Sequence, residues 1–222
     1  MSNRSEGRPS EARSRLVSTA TRLFYNEGIH AVGIDRIIAE AQVTRATLYR
    51  HFPGKEDLVL AYLSGVDQAM RGQADEAVAA GLPAADTLRA LSASIAQGIQ
   101  SPGFRGCAFL NAAAEYPDPE CPAHMAVLAH RQWFLDTVTE LLAKIHEPGA
   151  APAARHFVMM RDGAMAAGCL FDPALICETF LRGVDRLLQV YAATDYTEPA
   201  GPDDLERSST DPGRFDSRRT VA

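Results

Sequence analysis

TRATLYRHFPGKEDL, residues 44–58, gathers two arginines, a tyrosine, a histidine and a lysine around a Pro-Gly break. Leu48 and Phe52 stand at i and i+4, so they share one face of a helix that begins after Thr44, a good N-cap, and stops at Phe52, before Pro53. At about 100° per residue the opposite face centres on Ala46, Thr47 and Arg50, with Arg45, Tyr49 and His51 on its flanks. Such a helix is far shorter than the ~12 to 15 residues at which isolated helices become marginal in water. Packing through Leu48 and Phe52 must therefore hold it.

Upstream, Leu16, Ala20, Leu23 and Phe24 form the i, i+4, i+7, i+8 stripe of an amphipathic helix over 11–27, which Gly28 ends as a left-handed cap. A second short helix over 34–41 buries Ile34, Ile37 and Ile38, and Gln42 and Val43 form the turn into the third. A short helix that shows Arg, Thr and Ala to solvent after a tight turn from another short helix is the pattern of a helix-turn-helix. Arg45 and Arg50 suit guanine edges or phosphates, Thr47 a thymine methyl or phosphate, and Ala46 permits close approach. Tyr49 and His51 can reach phosphates on the groove walls, and Lys55 opens a helix whose dipole favours Glu56 and Asp57, a placement that fits a phosphate grip. Thr44 completes this set of DNA-facing residues.

The charge distribution agrees. The chain has net charge −6, yet residues 1–60 hold a surplus of two positive charges. A basic N-terminal part on an acidic body suits a polyanion-binding module carried by a domain that does not bind polyanions. Cys107, Cys121, Cys169 and Cys177 follow no signal-peptide pattern, so reduced thiols and a cytoplasmic location are expected. No apolar run approaches the roughly 18 residues of a membrane span, so no membrane partner is expected.

Beyond Lys55 the helical period continues to Ala79, breaks at AAGLP (79–83), and returns over 84–100, 107–115, 123–146, 153–168 and 173–192. No stretch alternates with period two, so the fold class is all-α. The expected organisation is a disordered arm over 1–10, a three-helix DNA-binding domain over 11–55, a larger helical ligand-binding and dimerisation domain over 56–194, and a disordered tail over 195–222.

ATLYRHFPGKEDL, together with the helix and turn before it, resembles the N-terminal DNA-binding domain of the TetR family of bacterial transcriptional regulators, over about residues 11–65. The resemblance implies a homodimeric repressor that binds a palindromic operator in double-stranded DNA and is released by a small-molecule effector. It also implies a phosphate contact for Lys55. Gln42 departs from the family, which usually has Gly at this turn; if the turn needs a positive φ, Gln costs on the order of 1 kcal/mol.

In the body, Phe104, Phe109, Trp133, Phe134 and Met159 are candidates for lining an apolar ligand pocket, with Arg105, Asn111, Glu115 and His130 as polar contacts. Phe157, Met160, Ala164, Ala167, Phe180, Gly183, Val184 and Leu187, on the last two helices, mix bulky and small residues, and the resemblance makes them candidates for a dimer interface. An alternative regulator senses oxidation through Cys107 and Cys121. Cys121 and His124 lack a partner pair at zinc spacing, so neither metal nor cofactor is expected. No glycine-rich phosphate loop, G-x-S-x-G or H-E-x-x-H occurs, so catalysis is not expected; a helical enzyme with a vestigial DNA-binding fold is the remote alternative.

Overall fold

The structure, a computed structural model, describes residues 10–193; the expected arm, apart from Ser10, and the expected tail lie outside them. The described residues form nine helices and no strand: α1 Glu11–Glu27, α2 Ile34–Ala41, α3 Arg45–His51, α4 Lys55–Ala79, α5 Ala84–Ile99, α6 Ala108–Glu115, α7 Pro122–Ala143, α8 Ala150–Ala167 and α9 Pro173–Ala193. Each starts or stops where local chemistry allows. Ser10 caps α1, its Oγ accepting from the Arg13 amide at 3.3 Å. Pro122 occupies the first position of α7, where its missing N–H costs nothing.

Two helix ends differ by three residues from the pattern of the sequence. α8 begins three residues earlier than predicted, because Pro152 still falls within its first turn, where no intrahelical N–H is needed. α7 stops at Ala143 rather than 146, and the Tyr191 hydroxyl donates to the His146 carbonyl in the turn that follows. Gly28 has φ 95° and ψ 148°, a positive φ but an extended ψ rather than the predicted left-handed cap. The chain leaves α1 extended because Glu115 of α6 accepts the next two amides, Ile29 N at 2.8 Å and His30 N at 2.5 Å.

The interior divides into two apolar clusters. The first joins α1–α3 and the start of α4 to α6 and the start of α7, through Leu16, Leu23, Phe24, Ile37, Leu48 and Phe109. The second joins the end of α4 to α5, the rest of α7, α8 and α9, through Leu88, Phe134, Phe157, Phe180 and Leu188. The change from one to the other falls along α4, which passes Leu58, Val59, Tyr62 and Leu63 to the first cluster and Ala74 to the second. Gly168, just after α8, allows a close approach to α5, since a Cβ there would stand 2.5 Å from Ile99 Cγ2.

Candidate nucleic-acid interface

The outer face of α3 is set by the turn before it. Gln42 ends α2 at φ 53° and ψ 49°, and is the single non-glycine residue with positive φ among the described residues. That reverses the chain within two residues and sets Thr44 at the start of α3, where its Oγ1 accepts from the Thr47 amide at 3.1 Å. α3 spans seven residues and survives by burial: Leu48 is 0% and Phe52 3% exposed. Burial of each contributes roughly 2 kcal/mol. The Arg13 guanidinium lies 5.1 Å from the Phe52 ring centroid and closes the far side of that anchor.

With one face locked, the other is presented to solvent. Arg45, Ala46, Tyr49 and Arg50 are exposed, while Thr47 and His51 are half-buried. Most of these groups already have partners. Arg45 pairs with Asp35 of α2, Thr47 Oγ1 lies 2.8 Å from Thr44 Oγ1, and His51 Nε2 lies 3.0 Å from Ser10 Oγ. Arg50 and Lys55 carry no ion pair among the described residues. Lys55 opens α4, and just before it the Gly54 amide donates to Asp57 Oδ2 at 2.9 Å. Arg22 and Arg36 meet Glu40, and Arg36 also meets Glu27, so these pairs tie α1 to α2. Hydrogen bonds from Arg22 and then Arg36 hold the Glu40 carboxyl below its usual range. At this exposure the network orients the helices more than it stabilises them.

Polar contacts connect α1 and the turn after it to α6 and the loop before α6. The Tyr25 hydroxyl of α1 donates to the Gly106 carbonyl and accepts from the Arg105 amide, both at 2.9 Å, and Glu115 holds the amides of Ile29 and His30. Behind Tyr25 lies a cavity of about 280 Å³ between α4, α5, α6 and α8. Its mouth carries exposed Gln73, Ser94 and Gly98, and its walls include Met70, Phe104, Phe109, Cys107 and Arg161. Arg161 is 1% exposed, with Nη1 2.9 Å from Asp162 Oδ1 and 3.4 Å from Cys107 Sγ. Its guanidinium also lies 5.4 Å from the Phe134 ring centroid. Asp162 is shared with Arg131, which binds both of its carboxylate oxygens.

Across the Phe109 wall, His130 stacks on Phe109 at 3.5 Å between ring centroids, and its Nδ1 lies 2.7 Å from Asp67 Oδ1. Burial lowers the His130 pKa, and Arg161 and Arg71 act in the same direction, outweighing the Asp67 carboxylate. His130 is therefore neutral at pH 7 and donates from Nδ1. Burial opposes ionisation of Asp67, but hydrogen bonds from Arg71 and His130 outweigh it and keep its carboxyl below the ordinary range.

The model for bacterial regulatory proteins of the tetR family matches residues 16–62. A crystal structure of a TetR-family transcriptional regulator from Streptomyces coelicolor is 65% identical, with 82% of this chain and 97% of that one covered at a TM-score of 0.81. The chain belongs to the TetR family. Among curated relatives, the HTH-type transcriptional activator FasR of Mycolicibacterium smegmatis is 40% identical over 73 residues, covering 29% of this chain and 33% of that protein. The transcriptional repressor KstR2 of Rhodococcus jostii is 35% identical over 79 residues, 36% of this chain and 39% of that protein. The match spans between 26% and 39% of the length of the curated relatives. As a TetR-family member it is a DNA-binding transcriptional regulator and not an enzyme. No described helix is long and apolar enough to cross a membrane.

For the body of this TetR-family chain the sequence placed fewer residues well. Phe104 and Phe109 line the cavity, Trp133 lies outside it under the Arg71 guanidinium at 4.4 Å, and Phe134 is buried beside Arg161. Met159 is 72% exposed and lines no wall of that cavity. Of the polar candidates, Arg105 and Asn111 bond to each other in the loop before α6, Glu115 serves the α1 terminus, and His130 lies behind Phe109. Arg161 was missed. Its signal was a charge at i+4 from Phe157 and i−3 from Ala164, on the buried face of α8.

The predicted dimer residues divide by burial. Phe157, Ala164, Phe180 and Val184 are buried in the second core of their own chain. Met160, Gly183 and Leu187 instead line a surface groove of about 380 Å³ between α8 and α9, and Ala167 is half-buried. Cys107 lines the cavity and Cys121 does not, while His124 Nδ1 lies 2.7 Å from the Tyr116 carbonyl.

Proposed function

We propose that this regulator acts as a homodimer that binds a palindromic operator, most simply as a repressor, and leaves it when a small molecule fills the cavity behind Tyr25. Residues 11–55 form the head and 56–194 the effector-binding and dimerising body. The observation that carries the reading is the α3 face itself: Arg45, Ala46, Thr47 and Arg50 stand outward on a helix anchored in the core by Leu48 and Phe52. Arg50 and Arg45 read base edges, Thr44, Tyr49, His51 and Lys55 hold phosphates, and Ala46 lets the helix enter the groove. Two such helices must sit about 34 to 36 Å apart to meet successive half-sites.

The groove lined by Met160, Gly183 and Leu187 on α8 and α9, together with exposed Met159, supports a two-fold pairing of these helices. Release needs an effector that prefers one spacing of the heads over the other. Tyr25 supports such coupling, because it lines the cavity and also bonds the loop before α6. FasR is named an activator and KstR2 a repressor, so the sign of regulation rests on the experiment.

That experiment is a footprint at low salt on DNA flanking the protein's own gene, followed by transcription of the same fragment in vitro. A protected palindrome with lowered transcription supports the proposal. Binding no different from that to random DNA would remove its main support. A second reading, a thiol-sensing repressor, is favoured by the Cys107 thiol beside the Arg161 guanidinium. It predicts loss of operator binding on mild oxidation, abolished by Cys107→Ser.

A further inference from the structure

Arg161 carries more positive charge into the interior than the protein answers. Asp162 is its one carboxylate neighbour, and Arg131 already takes both oxygens of that group. Next to them, Arg71 is matched by Asp67, and His130 is neutral. Three guanidiniums thus share two carboxylates beside Phe109, Phe134 and Trp133; Arg71, Asp67, Arg131 and Asp162 are partly exposed, and Arg161 alone is sealed from solvent. An unanswered charge in such surroundings is costly, and a fold keeps one where something else supplies the counter-charge.

The hydrogen bonding shows where that counter-charge fits. Both bonds made by the Arg161 guanidinium use Nη1, and its buried Nε has no partner. The Nε and Nη2 edge is left over, and two parallel N–H groups match the two oxygens of a carboxylate. Arg161 lines the cavity, whose other walls are mostly apolar: Val66, Met70, Ile95, Phe104 and Met165. At about 30 Å³ per atom-sized group, 280 Å³ holds roughly ten heavy atoms.

We propose that the cavity binds a small amphipathic carboxylate, an aryl or medium-chain alkyl acid of about ten heavy atoms, with its head group on Arg161 and its apolar body between α4, α5 and α8. This rests on the reading of the cavity as the effector site and adds the chemical class of the effector. A carboxylate there balances the third guanidinium and fills the unused edge, while its tail replaces water along the apolar walls.

The test is calorimetric titration of the full chain with phenylacetate and octanoate, each against its neutral twin, phenylacetamide and octanamide. The expected result is binding of the acids and roughly thirtyfold weaker binding of the amides, the size of a lost charge-assisted pair. Arg161→Gln should abolish the preference; should that variant not fold, the acid and amide comparison on the unaltered protein decides alone. Equal binding of acids and amides, or no binding of either acid at about 1 mM, overturns the proposal. A parallel titration of the protein on its promoter DNA separates the two claims. Acids that bind through Arg161 but leave the DNA bound sink the effector reading and keep the carboxylate site. Amides that release the DNA as well as acids do the reverse.

Discussion

On the reading head Arg45 and Arg50 stand in solvent, whereas in the body Arg161 is 1% exposed. Arg45 is held by a mostly exposed Asp35, an arrangement worth little to the fold and easily exchanged for a phosphate or a base edge. Arg161 is almost sealed from solvent, so each neighbour, Asp162 above all, decides what the site costs. One residue type thus serves two ends. In the proposed reading the exposed arginines meet a large polyanion and the enclosed one makes a small cavity selective.

The sharpest way to break that contrast is to remove one carboxylate from each region. Asp162→Asn leaves Arg131 and Arg161 without their shared counter-charge and should lower unfolding free energy by about 3 kcal/mol, read by urea denaturation. Asp35→Asn should leave the denaturation midpoint close to that of the unaltered protein. Equal losses would mean that the body cluster is solvated like the surface.

Next in size is the division of labour within the head. Arg50→Ala should weaken operator binding by about 2 kcal/mol, roughly thirtyfold, with much less effect on random DNA, because a base contact discriminates between sequences. Lys55→Ala should weaken both and reduce the slope of log K against log salt by about one phosphate. Fluorescence anisotropy across a salt series reads both. Parallel losses for the two variants on both DNAs would dissolve the proposed distinction.

The body should also respond to pH through His130, which Asp67 contacts directly and which Arg71, Arg161, Phe109 and Trp133 surround. Its pKa in the fold lies below the ordinary 6.5, so the unfolded chain binds the proton more readily. The associated stability is complete above about 6.5 and is lost as pH falls toward the lower native value. The melting temperature should therefore drop as pH is taken from 7 to about 5.5, and His130→Gln should flatten that portion of the curve. A curve unchanged by the substitution would show that His130 does not titrate alone.

These two regions were unequally legible in the sequence because of the range over which their determinants act. Thr44, Leu48, Phe52 and Gln42 fix the head within a dozen residues, through a cap, an i, i+4 pair and a turn, and all are local rules. Helix existence in the body followed from period and from Pro and Gly breaks for the same reason. Which residue faces a cavity, a core or a partner depends on neighbours far along the chain. Phe157 and Met159 differ by two positions on α8, one sealed in the core and the other 72% exposed, and nothing in their composition separates them. Arg161 needed Cys107, Asp162 and Arg131 around it before its charge acquired meaning.

The smallest expected effect has the opposite sign. Gln42 holds φ 53° without the freedom of glycine, at the one turn that sets the angle between α2 and α3. Replacing it by Gly removes the Cβ conflict of a left-handed residue, about 1 kcal/mol, but gives the unfolded chain more freedom, so the net gain should be about 0.5 kcal/mol. Gln42 is exposed and its amide bonds the Ala39 carbonyl through the backbone, so Gly keeps every contact that shapes the turn. Gln42→Gly should then raise the denaturation midpoint slightly while leaving operator affinity unchanged. A loss of affinity without a loss of stability would give the Gln42 side chain a place in the DNA interface, and would extend that interface from α3 back into the turn.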